Sequence, residues 1–436
     1  MRLSGWAITW LALGALALIC SPWAPALTWW AYAIDLLVLV LLVADALLLR
    51  RTTELSATRT HHEIFSLGTQ NAVTIGLNNP SPFTLRFALR DAIPDKCESE
   101  RYAEHGTLAP YGAFTFPYQL RPLERGMQHF GPLTVRLQSP LGLWLAQREF
   151  LDGDTVKVYP NIQQTGQTQL LSRQMQTRVM GIHRLRLRGQ GAEFESLRDY
   201  LPDDELRKVD WNASARRGSM ITREFDVERS QQIMLMLDMG RTMASHLDYM
   251  TKLDHAINAA VLLTYVSGQS HDRIGVTAFA DDIVSYMPPG KGGAQLTPVL
   301  EQLYPLQPRQ VESNYRYAFN YLTNRLRKRA LIILFTDLID PDSSRRLLDN
   351  LRLLHPRHLV LCVALSDYEL KGILSGAPAD VDGLYQQAMA TAVLEDRQLA
   401  LSQLHQQGVL TVDAAPSDLS VAVVNKYLAI KREGRI

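Results

Sequence analysis

Two long apolar runs end in carboxylates: QQIMLMLD, at 231–238, ends in Asp238, and ALIILFTD, at 330–337, ends in Asp337. A run of this kind reads as a parallel strand covered on both faces. Each carboxylate then stands at the carboxyl edge of an open sheet, where such sheets bind ligands. Two carboxylates brought together repel one another, and a hard divalent cation such as magnesium, held by oxygens and waters, would relieve that repulsion. The plainer reading is that Asp residues just after strands cap the helices that follow, with Asp337 and Asp340 opening the next one.

Other chemistries find less support. MGRTMASH, after the first run, has neither GxGxxG nor GxxxxGKS, so nucleotide binding has no phosphate loop to rest on. The histidines at 61–62, 246, 255, 271, 355 and 358 fall in no HExxH or triad context. Ser214 and Ser219, in WNASARRGSM, lie beside arginines but bring no evident base or oxyanion hole, so a hydrolase is the alternative reading and a non-enzyme the preferred one. Cys20, Cys97 and Cys362 are widely spaced, which argues against a disulfide framework and a zinc site. Cys362, within LVLCVAL, reads as a buried structural thiol. The 45 basic and 44 acidic side chains nearly cancel, so no global field draws in nucleic acid.

The elements that must position Asp238 and Asp337 alternate. After the first strand come a helix over about 248–269, strand RIGVTAFA, helices near 294–305 and 315–328, and strand ALIILFTD. Strand HLVLCVAL, a helix through 384–406, GVLTVD and a final helix from about 417 complete the series. Such alternation implies right-handed crossovers and a doubly wound α/β domain over 230–436.

Upstream, residues 52–165 read as a small β-sandwich. AVTIGLNN, FTLRFALRD, FTFPYQL, LTVRLQS and TVKVYPN are short alternating runs divided by Pro, Gly or Asn. Val73, Ile75 and Leu77, and likewise Phe114, Phe116, Tyr118 and Leu120, fall at period two and predict one buried face per strand. Trp144 is expected to cover the sandwich edge.

Residues 1–51 read as a transmembrane helical hairpin. Trp6–Cys20 has no charge, and Leu27–Leu49 is interrupted only by Asp35 and Asp45, so each stretch is near the roughly 20 residues that cross a bilayer. SPWAP turns the chain between them. Arg2, Arg50 and Arg51 flank the hairpin and the turn has no basic residue, which places both ends, and everything after residue 51, in the cytoplasm of a bacterial inner membrane. A cleaved leader is the rival, but Ile19 is bulky where cleavage needs a small residue. Asp35 and Asp45 would mark an ion path if buried in lipid, or an interfacial or helix contact, the simpler reading.

A connector and signature segment, 166–229, joins sandwich to sheet. Its charges balance: residues 181–229 interleave acids and bases with Phe194, Tyr200, Trp211 and Phe225, a pattern of internal pairing that lacks the cation surplus nucleic acid requires. Trp211, the large aromatic of RKVDWNASARR, is expected to be a buried anchor of this stretch. The order G-x-E-F-E-x-L-R-x-Y, then R-K-V-D-W-x-A-S-A-R, then R-E-F, resembles the signature of the domain-of-unknown-function 58 family, carried here by Glu193, Phe194, Arg198, Tyr200, Asp210, Trp211 and Arg216. Family members usually have Gly-Asp-Asp after Tyr-x-Pro, where this chain has Asp203, Asp204 and Glu205.

The C-terminal domain is similar to von Willebrand factor A domains. Their metal-ion-dependent adhesion site uses Asp-x-Ser-x-Ser, a middle-loop Thr and a fourth-strand Asp. By that resemblance Asp238, Thr242, Ser313 and Asp337 form a degenerate magnesium site, weakened because Gly240 stands where a serine would offer its oxygen. The resemblance to the domain-of-unknown-function 58 family further implies a membrane-anchored protein-binding scaffold or adaptor. It would work with a MoxR-type AAA+ ATPase in the assembly or maturation of a client protein.

Overall fold

A computed structural model of the chain describes residues 2–20, 25–51, 55–151, 153–160, 193–201, 206–226, 231–247, 249–338, 341–354, 356–365, 368–375 and 380–435. It divides into two compact units, residues 1–161 with 304–306, and residues 162–303 with 307–436. Asp203, Asp204, Glu205, Asp340 and most of the expected 166–229 connector lie outside the described residues.

In the first unit a short strand, β1 (Arg2–Leu3), leads into helix α1 (Gly5–Cys20), and α2 (Pro25–Arg51) follows. The window Tyr32–Arg50 of α2, with mean hydropathy 2.5, is long and apolar enough to cross a membrane. The apolar stretch Gly5–Leu16 of α1 is shorter, so among the described residues one of the two near-span-length stretches expected from sequence meets the length. The helices run against each other with Ala7 beside Val38 and Leu42, and with Gly14 against the Asp35 carboxylate, where a Cβ would collide. Asp35 is thus a helix contact.

The strands that follow are β2 (Ser56–His61), β3 (Ile64–Ser66), β4 (Asn71–Asn78), β5 (Leu85–Asp91), β6 (Cys97–Glu98) and β7 (Ala103–Leu108). Then come β8 (Ala113–Pro122), β9 (Gly126–His129), β10 (Leu133–Gln138), β11 (Trp144–Phe150) and β12 (Thr155–Tyr159). They form sheets of order β1-β11-β10-β5-β7, β2-β4-β8-β6 and β3-β12-β9. The period-two residues do face inward: Val73, Ile75, Leu77, Phe116, Tyr118 and Leu120 are buried, and Phe114 is half-buried. Fully burying a side chain such as Val73, Ile75, Leu77 or Phe116 stabilises the fold by roughly 1.5–3 kcal/mol. The same core holds a charge that periodicity could not announce, since Arg59 pairs with buried Asp91 at 2.5 Å and Tyr118 also donates to Asp91. Trp144 lies on β11, paired with Leu3 of β1, and its indole N–H donates to the Leu42 carbonyl of α2 at 2.9 Å.

The second unit opens with β13 (Glu193–Asp199), a short helix α3 (Trp211–Arg217) and β14 (Ile221–Asp226), with β13 and β14 antiparallel. Six further strands build the main sheet: β15 (Gln232–Asp238), β16 (Arg273–Phe279), β17 (Ile283–Lys291), β18 (Leu331–Thr336), β19 (Leu359–Leu365) and β20 (Leu410–Ala414). Their order is β17-β16-β15-β18-β19-β20, parallel throughout except for β17. Helices α4 (Lys252–Gln269), α5 (Gly292–Leu303) and α10 (Leu419–Arg432) pack together on one face. On the other lie α6 (Tyr315–Arg325), α7 (Pro341–Leu351) and α9 (Val381–Gln406), with α8 (Tyr368–Ser375) beside α9. The sheet is doubly wound as expected.

β17 escapes the sequence pattern because it contains Pro288 and Pro289, which suit only an edge strand. α4 starts at Lys252 and not near 248 because Thr251 and Asp254 form a capping box there. Strand order reverses between β15 and β18, and the crevice at such a reversal is where this architecture places its sites.

Candidate functional site

Asp238 ends β15 at that reversal and is fully buried. Its Oδ1 accepts the Gly240 N–H at 2.8 Å and the Ser313 hydroxyl. Its Oδ2 accepts the hydroxyls of Tyr315 at 2.8 Å and Thr336 at 2.7 Å. Burial pushes the carboxyl above its ordinary range even though all four hydrogen bonds pull it down. Tyr315 is pushed up as well, by burial and by the Asp238 charge beside it.

Asp337, the next residue after β18, is also buried, and it faces cations. Lys252 Nζ lies 2.5 Å from Oδ2 and Arg397 Nη1 lies 2.9 Å from Oδ1, which also accepts the Leu338 N–H at 2.8 Å. Lys252 is 1 % exposed. A buried ammonium is costly unless paired, and here the capped start of α4 delivers it straight to a carboxylate. Arg397, on α9, continues the chain of charges: its Nη2 donates to the Leu365 carbonyl and to Asp413 Oδ1, both at 2.7 Å. The strand-end edge is therefore laced internally by Asp337, Lys252, Arg397 and Asp413.

The residues do not fit a hard divalent cation. Four donors occupy the oxygens of Asp238, two side-chain cations and an N–H occupy those of Asp337, and Gly240 offers no side-chain oxygen. Of the sequence-expected set, Asp238 and Ser313 are joined directly, and Asp337 sits with Lys252 instead. Thr242, in a single 3-10 turn at Arg241–Ala244, makes no described hydroxyl bond to either carboxylate. No group of three His, Cys, Asp or Glu side chains converges on a metal position among the described residues. Sequence reasoning missed Lys252, Tyr315, Thr336 and Arg397. The one visible signal was a lysine opening a helix that is largely apolar, in MTKLDHAINAAVLL.

The signature segment folds into a hairpin carrying a helix. Glu193, Phe194 and Arg198 take their places on β13, with Phe194 opposite Phe225 and Arg198 opposite Thr222 on β14. Tyr200 is half-buried and its N–H donates to the Met220 carbonyl at 2.9 Å. Asp210 caps α3, accepting the N–H groups of Asn212 and Ala213, both at 3.1 Å. Arg216 is exposed in the last turn, where a cation complements the helix dipole. The Ser214 hydroxyl is committed to structure, donating to the Asp210 carbonyl at 2.7 Å and accepting the Ile221 N–H at 2.9 Å.

Trp211 overturns its expected role as a buried anchor. It is 65 % exposed, and α3 buries no residue at all. The reason is local: Asp210 and Ser214 hold α3 to β14 through hydrogen bonds, so no aromatic is needed beneath it. Leu201, Leu206 and Met220 are also exposed in this module.

Comparison with known proteins finds similarity over part of the chain. The chain is 31 % identical over 180 residues to the uncharacterized protein YeaD of Bacillus subtilis, covering 39 % of this chain and 44 % of that protein. It is 25 % identical over 181 residues to the uncharacterized protein Mb1516 of Mycobacterium bovis, covering 41 % and 56 %. The chain thus spans about half the length of the curated relatives it matches. Solved structures similar to parts of it include a conserved hypothetical protein BatB from Bacteroides thetaiotaomicron, at 15 % identity and a TM-score of 0.29 over 46 % of this chain and 99 % of that one. An aerotolerance-related membrane protein from Bacteroides fragilis has 15 % identity and a TM-score of 0.26 over 45 % and 99 %. Residues 196–374, from the end of β13 through most of α8, match the family model described as protein of unknown function DUF58.

Proposed function

We propose that the chain is a non-catalytic adaptor, held in a bacterial inner membrane by the α1–α2 hairpin, with its remaining parts in the cytoplasm. The doubly wound unit acts as a von Willebrand factor A-like binding domain. The partners are a MoxR-type AAA+ ATPase and a client protein under assembly or maturation.

The observation that carries this reading is Trp211, 65 % exposed on a helix that buries none of its residues, with Leu201, Leu206 and Met220 also exposed on the signature module. Large exposed aromatics beside arginines are the side chains that dominate protein interfaces. The strand order and the switch-point carboxylates support the A-like comparison. At that edge the adaptor works without magnesium, because Lys252 and Arg397 already supply the positive charge a metal would bring.

The test is a photocrosslinking amino acid at position 211 of the full chain in its native membrane, with position 433 as an exposed control. Adducts specific to 211 that contain a AAA+ ATPase support the proposal. Equal labelling from both positions would remove the module as a docking surface.

A further inference from the structure

Asp45 lies inside the apolar window of α2, yet it is fully buried, and what buries it is the sandwich. Its carboxylate accepts the Ser139 hydroxyl at 2.5 Å and the N–H groups of Leu141 and Leu143, both at 3.0 Å. Trp144 adds its bond to the Leu42 carbonyl, and Ser4 N–H donates to the Leu143 carbonyl at 2.8 Å. The loop 139–143 is thereby clamped to α2 one and a half turns before Arg50, about 7–8 Å along the helix axis. At that same level α2 turns Val43, 53 % exposed, and Leu47, 57 % exposed, to its surroundings. A helix cannot be in hydrocarbon at Val43 and Leu47 while the loop latched beside them is in water at the same depth.

Strand register extends the point to one end of the sandwich. Gln138 pairs with Arg86 and Leu85 with Leu108, so the loops 79–84, 109–112 and 139–143 share the end that meets the helices. Two of them are tied together, since Asn79 donates to Gly112 and Tyr111 to Ser81 through backbone N–H groups. Their sequences, NPSPFT, APYG and SPLGL, contain no charged residue. They display Tyr111, 71 % exposed, and Leu141, 51 % exposed. The opposite end, entered after Asp91, carries Asp95, Lys96, Glu98, Glu100 and Arg101. The short α1 fits the same picture: its 16 residues span only about 24 Å of a bilayer core of about 30 Å.

We infer that the helix-side end of the sandwich is a lipid-contacting surface. The 139–143 loop inserts beside α2, Leu141 enters the acyl region and Asp45 serves as its latch. This rests on the membrane reading of α2, and the experiment separates the two.

In the full chain with Cys20→Ser, single cysteines at Leu39, Leu141 and Lys96 carry nitroxide labels in phosphatidylcholine–phosphatidylglycerol nanodiscs. Cys97 and Cys362 stay unlabelled, because burial pushes both thiols up to about 12. Leu141 is half-exposed, so the substitution leaves the fold intact, which circular dichroism checks. Collisions with oxygen should exceed collisions with a nickel chelate several-fold at 39 and at 141, with the reverse at 96. Oxygen preference at 39 with nickel preference at 141 would overturn the inserted loop and leave the span standing. Nickel preference at both would remove both. A label at 141 shielded from both reagents would mean that protein, and not lipid, covers the loop, and would also overturn the inference.

Discussion

A Cβ on Gly240 would fall on the hydroxyl of Ser313, within 3.1 Å of the Val311 carbonyl and 3.2 Å of Asp238 Oδ1. The backbone at Gly240, with φ −70°, is open to any residue, so glycine is there for space and not for conformation. Ser313 thus occupies the place of the missing side chain and delivers its hydroxyl to Asp238 from another loop. Gly240→Ala should push Ser313 off Asp238 and cost about 1–3 kcal/mol, as overpacking does. Adding Ser313→Gly should recover part of that loss in chemical denaturation. A Gly240→Ala protein as stable as wild type would show that the loop yields freely.

Lys252 and Asp337 predict a larger effect. Lys252→Met keeps volume but leaves Asp337 buried with Arg397 alone, which should cost about 3–5 kcal/mol. Because the two residues form one pair, Lys252→Met with Asp337→Asn should cost clearly less than the two single changes added together. Additive losses by urea titration would mean the pair does not act as a unit.

Much of the second unit was legible because its strands are buried on both faces and carry their burial in composition: QIMLMLD, LIILFT and LVLCVAL are each apolar at nearly every position. β17 was not, since an edge strand has neither full burial nor clean alternation. At the site, Asp238 and Asp337 could be placed from the strand ends. Their partners could not, because Lys252 and Arg397 arrive at Asp337 from helices 85 and 60 residues away in the chain, and helical periodicity says nothing about which charge meets which. Trp211 shows the opposite limit. A lone aromatic in a charged stretch looks like an anchor until hydrogen bonds from Asp210 and Ser214 are seen to do that task.

Magnesium should leave the melting temperature of the wild-type protein unchanged at millimolar concentration. A cation that bound the folded state would raise it by mass action, but here the carboxylate oxygens are already taken. Differential scanning fluorimetry with magnesium and with chelator decides this. A rise that vanishes in Asp238→Ala would restore the metal site.

Trp211→Ala should change stability by no more than about 0.5 kcal/mol, because the side chain is 65 % exposed. If Trp211 anchors a partner, the same change should weaken that partner's binding by about 2 kcal/mol, roughly thirtyfold. Lost stability with intact binding would return Trp211 to a structural role.

His358 provides the pH test. It is 3 % exposed, just before β19, and neither ring nitrogen has a partner among the described residues. Burial first, and then the neighbouring Arg357 charge, holds its pKa below the ordinary 6.5. The folded protein therefore takes up a proton here less readily than the unfolded chain. Stability from the neutral ring is complete above pH 6.5 and is lost progressively as pH falls through 6.5 toward the depressed value of the folded state. Carboxylates elsewhere titrate at lower pH and affect wild type and variant alike. Melting temperature should thus fall more steeply from neutral pH to about pH 5.5 in wild type than in His358→Leu, which has nothing to protonate at this position. The comparison is of slopes, so a packing change that shifts both ends of the leucine variant equally does not enter. Parallel slopes would show that the ring finds water or a partner in solution and titrates normally.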